Sequence, residues 1–102
     1  MRSILMYQRA YHDHCGTGLQ LNYFLLIDEV FFGCSSLDIY GAKIELYDQE
    51  QLLEQKIVRG ITPFGPKIAS LLLRLADGLV QPSRMEAMLS DVLPPSESVP
   101  SA

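Results

Sequence analysis

The sequence predicts an α+β domain, an antiparallel β-meander of about four strands followed by two C-terminal helices packed on one sheet face. Three observations predict it. Apolar residues recur with a period of two through most of residues 2–61, as half-buried strands require. The period changes to that of a helix face after Thr62-Pro63. Short segments rich in Gly, Ser, Asp and Gln separate the strands and favour antiparallel neighbours.

The elements follow in order. The first strand covers about residues 3–11, with Ile4-Leu5-Met6 apolar but not alternating. Residues 13–18, with two glycines, make the turn after it. In the second strand Leu19, Leu21, Tyr23, Leu25 and Ile27 alternate with Gln20 and Asn22. Phe24 and Leu26 lie on its other face, so it has apolar groups for cover on both sides. Gly33-Cys34-Ser35-Ser36 turns the chain after Phe31-Phe32. The third strand, residues 39–47, points Tyr40, Ala42, Ile44 and Leu46 one way and Lys43 and Glu45 the other. Asp48-Gln49-Glu50-Gln51 is short enough for a hairpin. The fourth strand, residues 52–61, puts Leu53, Ile57 and Ile61 on one face and Glu54 and Lys56 on the other.

Thr62 can cap a helix with Pro63 at its first position, and Gly65-Pro66 allows a later start. Ile68, Leu71, Leu72, Leu75 and Leu79 share one helical face, and Gly78 is the expected stop. Ser83 and Glu86 have the spacing of a capping box at the head of a second helix. Its apolar stripe is Met85, Met88, Leu89, Val92 and Leu93, and Pro94 ends it. The Pro/Ser-rich residues 94–102 cannot offset the entropy of ordering. The expectation is one domain over residues 1–93 and a disordered tail. No internal repeat is present.

Composition then limits the classes. A chain of 102 residues, 48% of them apolar, forms one core and is not a disordered polymer. Eight Lys+Arg against 12 Asp+Glu leave a net charge of -4, which argues against a direct nucleic-acid binder. No run reaches the ~18 uninterrupted apolar residues of a spanning helix, and residues 1–6 do not open a signal peptide. Two cysteines are too few for a disulfide framework. The expected setting is cytoplasmic, away from the membrane, with reduced thiols; a single Cys15–Cys34 bridge is the alternative.

Several segments together resemble a known family. Ile39-Tyr40-Gly41-Ala42-Lys43-Ile44-Glu45-Leu46-Tyr47 resembles a Y-G-I-x-V-E-like strand. Ile57 with Ile61-Thr62-Pro63 is similar to an I-x-x-I-S-P strand-to-helix junction. Leu79-Val80-Gln81-Pro82, with Met85 and Asp91-Val92-Leu93, resembles a V-x-P-x-x-L…D-x-L final helix. These features look like a family of small uncharacterised Gram-positive bacterial proteins carried as a domain of unknown function. The resemblance spans about residues 19–93 and departs at Phe64-Gly65-Pro66, where the family tends to be charged. It implies a fold and a bacterial, cytoplasmic setting, and no catalytic residue.

Chemistry-bearing residues are sparse. His12-Asp13-His14-Cys15, with Cys34, has zinc-type side chains. The i, i+2 spacing in a Gly-rich turn reads instead as a solvated turn, so no metal and no cofactor are expected. A Cys/His nucleophile pair has nothing that places its base or oxyanion site. Gly16-Thr17-Gly18 precedes a strand and fails the context of a phosphate loop. Residues 82–93 carry one Arg against Glu86 and Asp91, too little charge for a recognition helix.

Two patterns suggest contact. Asp28 and Glu29 close the most apolar strand and join Asp38, Asp48, Glu50 and Glu54 in an expected acidic rim. Two helices cover one sheet face, which leaves Phe24, Leu26, Val30, Phe31 and Phe32 in surplus. The functional expectation is a non-catalytic protein-binding module, a small acidic regulator or inhibitor of a larger bacterial complex. By analogy of size and charge this group includes anti-CRISPR inhibitors of nucleic-acid-handling complexes. Asp28, Glu29, Phe31, Phe32, Asp48 and Glu50 are the expected contacts with a larger, basic protein partner. The alternatives are a homodimeric housekeeping protein and a small metal- or thiol-dependent enzyme using His12, His14 and Cys15.

Overall fold

The computed structural model describes residues 1–92. The expected tail, Leu93 and the side chains of Asp91 and Val92 lie outside the described residues. Four strands run β1 (Arg2–His12), β2 (Gly18–Phe32), β3 (Ser35–Asp48) and β4 (Gln51–Thr62), followed by α1 (Gly65–Asp77) and α2 (Met85–Val92). The strands pair antiparallel in sequence order, β1-β2-β3-β4, in one open sheet. The predicted α+β meander with two C-terminal helices is the architecture found.

The helices lie on one face. Leu21 and Tyr23 of β2 sit opposite Leu46 and Ile44 of β3, and all four are buried. Their alternation with Asn22 and Glu45 is what turns them to the same side. Against them α1 lays Ile68, Leu71, Leu72, Leu75 and Ala76. Leu72 and Leu75 are wholly buried, each contributing roughly 2 kcal/mol. Met85 of α2 and Val80 complete the core. The Tyr23 hydroxyl donates to the Val80 carbonyl at 2.9 Å, and the Gln81 amide donates to the Tyr11 hydroxyl at 3.0 Å. These two bonds fasten the link between the helices to the sheet, at the inner strand β2 through Tyr23 and at the edge strand β1 through Tyr11. Burial raises the pKa of both tyrosines, most strongly that of Tyr23.

The helix ends differ from their sequence signals. α1 begins at Gly65 with Pro66 in its first turn, and Phe64 is the N-cap. Thr62 does not cap the helix: its hydroxyl accepts the Phe64 N–H at 3.2 Å and closes the strand-to-helix corner instead. At the other end Gly78 is the C-cap, but the left-handed residue is Leu79, with φ 51°. Leu79 N–H bonds the Ala76 carbonyl and Val80 N–H bonds the Leu75 carbonyl, the paired bonds of a Schellman ending. Leu79 therefore leaves the buried helix face on which the periodicity places it. The Ser83–Glu86 capping box does not form. A 3-10 turn at Pro82–Arg84 precedes α2, and the Glu86 carboxylate instead meets Lys56 Nζ at 2.7 Å.

Two irregularities reshape β4. Between Tyr47↔Leu52 and Leu46↔Glu54 it carries one extra residue, Leu53, and between Tyr40↔Thr62 and Ala42↔Val58 it carries two more residues than β3, with Gly60 at φ 65°. The excess breaks the alternation, so Ile61 packs against the core while Leu53 and Ile57 lie on the face without helices, 47% and 43% exposed. At this bulge the backbone of β4 fills the space beside Gly41. A Cβ there would collide with the Val58 carbonyl oxygen and stand 2.9 Å from Arg59 Cα.

Candidate functional site

β2 and β3 outrun their neighbours. Pairing with β1 ends at Arg2↔Ile27, and pairing of β3 with β4 ends at Tyr40↔Thr62. Residues 28–39 therefore form a two-stranded ribbon, from Asp28↔Ile39 out to Phe32↔Ser35. Beyond the sheet it extends by about 15 Å. Gly33 turns its tip with φ 61°, the positive value that a two-residue II′ hairpin asks of its first central position. The run Asp28-Glu29-Val30-Phe31-Phe32 before Gly33 is the sequence signal for this extension: it continues β2 past the last partner available in β1.

The two ribbon faces differ. Phe31 shares one face with the directly opposed pair Glu29↔Asp38, while Phe32 shares the other with the pair Val30↔Leu37. Phe31 is 70% exposed, Phe32 60% and Leu37 42%. Opposed like charges weaken a strand pair, and among the described residues neither Glu29 nor Asp38 joins an ion pair. At the foot of that face a concavity of about 420 Å³ is lined by Met1, Arg2, Ile27, Glu29 and Asp38.

Asp28 is differently placed. Arg59 grips its carboxylate through two bonds of 2.9 and 3.0 Å, and this contact holds the carboxyl below its usual range. Asp28 thus anchors the root of the ribbon to β4 and is not a free contact residue. Sequence reasoning missed Arg59, because only the β4 bulge brings it across the side-chain-free Gly41 toward β2. Nor do the acidic residues form one rim. Asp48 and Glu50 belong to the β3–β4 turn, at the opposite end of the 14-residue β3 from the ribbon tip. At about 3.3 Å per residue the two turns stand roughly 40 Å apart. The local signals identify turns, and strand direction decides that alternate turns lie at opposite ends of the sheet.

The surplus of apolar groups on the uncovered face is smaller than their number suggests. Leu26 is 1% exposed beside Gly41, where the β4 backbone closes over the sheet. Phe24 is half-buried, with Lys43 Nζ 4.4 Å from its ring centre, and Lys43 also meets Glu45 at 3.3 Å. Leu5, paired to Phe24, and Ile57, paired to Lys43, stay exposed at the two edges. Of the expected surplus, only Phe31 and Phe32 are largely in water.

Within the His/Cys cluster it is Asp13 that holds the turn. Asp13 Oδ1 accepts the N–H groups of Cys15 and Thr17, both at 2.9 Å, as an Asx-type turn does. Cys34 lies in the ribbon turn, at the far end of the 15-residue β2 from Cys15, roughly 45 Å away. Within one chain the two thiols neither bridge nor share a metal ion. Among the described residues, no three His, Cys, Asp or Glu side chains converge as metal ligands. No helix among them is long and apolar enough to cross a membrane.

A family model described as a family of unknown function (DUF6514) matches residues 2–94. The chain belongs to that family. The match takes in β1, which the segments resembling a family of unknown function, about residues 19–93, do not reach. No curated protein and no solved structure matches the chain.

Proposed function

We propose that this chain is a non-catalytic protein-binding module, a small acidic regulator or inhibitor of a larger complex. The observation that carries the reading is the ribbon, which holds two phenylalanines 70% and 60% exposed away from the core. Large aromatic side chains are costly to leave in water and are enriched where proteins meet. The setting that goes with this reading is the cytoplasm of a Gram-positive bacterium. Inhibitors of nucleic-acid-handling complexes, of the anti-CRISPR kind, are its analogues in size and charge. The partner is a larger protein with a basic surface, consistent with a net charge of -4.

The test is co-purification with the tagged full chain from its host, beside its mass in dilute solution. A defined larger protein, recovered at constant ratio with the wild-type chain and lost with Phe31→Ser/Phe32→Ser, supports the reading. A mass of two chains with no companion overturns it. That result favours the homodimer, for which the exposed Ile4, Leu5 and Met6 on the open edge of β1 are the specific observation.

A further inference from the structure

Resting on the proposed binding role, we infer that the ribbon inserts into a cleft of another protein whose two walls differ, one basic and one apolar. Adjacent strand residues face opposite ways, so Phe31 and Phe32 project from opposite sides of the same ribbon. A flat surface can cover one of them; a cleft covers both. The side bearing Phe31 also bears Glu29 directly opposite Asp38, beside the concavity at the ribbon foot. Neither carboxylate has an ion-pair partner among the described residues, and their mutual repulsion is relieved by a cation placed between them. An Arg or Lys of the partner supplies that cation, and Arg can take both carboxylates with its planar fork. The side bearing Phe32 carries Val30 and Leu37. Its nearest charge, Asp28, is already neutralised by Arg59. That wall of the cleft is therefore apolar. A second copy of this chain is the poorer occupant of the Phe31 side, because two copies meeting there would oppose four carboxylates.

Ribbon insertion also makes sense of the anchoring. A two-stranded ribbon is marginal in water. The Asp28–Arg59 bonds fasten its root, and Ile39 Cγ2 would be 4.0 Å from a Cβ at Gly60. The segment is held ready for docking without burying its own tip.

Photo-crosslinking in the host tests this with the full chain. A benzophenone amino acid replaces Phe31, Phe32 or, as a probe of the uncovered sheet face, Ile57. The inference expects one and the same foreign protein joined from positions 31 and 32 and not from 57. The peptide captured from position 31 carries Arg or Lys, and that from position 32 is apolar. Glu29→Lys/Asp38→Lys lowers the yield from position 31 by about tenfold. An unchanged melting midpoint shows that the variant is folded. Adducts from position 57 alone overturn the cleft and leave the binding role standing. Adducts between two copies overturn the choice of occupant. An undiminished yield in the charge-reversed chain overturns the basic wall. No adduct from any position overturns the binding role together with the cleft.

Discussion

Replacing Tyr23 by phenylalanine removes one oxygen from the centre of the protein and tests how the helices are held. Tyr23 is wholly buried, and its hydroxyl donates to the Val80 carbonyl at 2.9 Å. In Tyr23→Phe the ring stays, so its packing against Leu21 and the α1 leucines is kept. The Val80 carbonyl loses its donor in a place that water reaches poorly, since Val80 is 6% exposed. Leaving a buried acceptor unpaired costs about 1–3 kcal/mol. Near the middle of that range the melting midpoint of a domain this size falls by roughly 8–16 °C. The same substitution has a second signature in alkali. Burial raises the pKa of Tyr23, so above about pH 10 the unfolded chain loses the phenolic proton and the folded chain keeps it. Fewer protons bound by the unfolded state means that stability falls as pH rises. One such tyrosine contributes at most about 1.4 kcal/mol per pH unit. Denaturant titrations of both chains from neutral pH to about pH 11 therefore show a steep alkaline fall in the wild type and a shallower one in Tyr23→Phe. Tyr11 and Tyr47, whose pKa values are also raised, sustain a residual slope. Equal midpoints and parallel alkaline limbs would refute the claim that this hydroxyl ties the inter-helix link to the sheet.

Further outcomes follow from the backbone and from the ion pairs. Gln49 holds φ 58° at the β3–β4 turn, so Gln49→Gly relieves left-handed strain and stabilises by up to about 1 kcal/mol in urea unfolding. Gly41→Ala places a methyl against the Val58 carbonyl and costs about 1–3 kcal/mol by thermal melting. In that variant the hydrogen-exchange protection of the ribbon root falls as Arg59 is pushed from Asp28. Arg59 lowers the pKa of Asp28, so the stabilisation it lends is complete above about pH 4 and is lost as pH falls through the folded value. Protection factors of the amides in residues 28–39, taken against the intrinsic exchange rate at each pH, should fall in acid in the wild type and should already be low at neutral pH in Asp28→Asn. Glu86, lowered by Lys56, follows the same direction and adds to acid loss at the α2 contact. Phe31→Ala and Phe32→Ala leave the melting free energy within about 0.5 kcal/mol, because neither ring is packed.

Much of this protein is legible in residue order. Period-two alternation in β2 and β3 selects Leu21, Tyr23, Ala42, Ile44 and Leu46 for one face, and period 3.6 selects Ile68, Leu71, Leu72 and Leu75 to cover it. These assignments depend on near neighbours, because a strand or helix presents its side chains by spacing alone. Turn residues likewise mark where each strand ends. The candidate site is only half legible. Phe31 and Phe32 are visible as surplus aromatics, and Glu29 as an acid beside them. That Asp28 is spoken for and Asp48 and Glu50 lie elsewhere depends on partners distant in the chain.

The sequence by itself determined the order of elements, the antiparallel meander and the apolar face that the helices cover, since each follows from local periodicity and short connections. Tertiary structure decided three things that periodicity does not encode. The bulge in β4 sends Arg59 over Gly41 to Asp28 and buries Leu26 on the face without helices. The pairing register leaves β2 and β3 unaccompanied beyond Ile27 and Tyr40, so that a ribbon stands clear of the sheet. The Schellman ending swings Leu79 outward and brings the Val80 carbonyl to the Tyr23 hydroxyl. The first two rest on contacts between residues far apart in sequence, and the third joins a local helix ending to the distant Tyr23, which no count along the chain supplies.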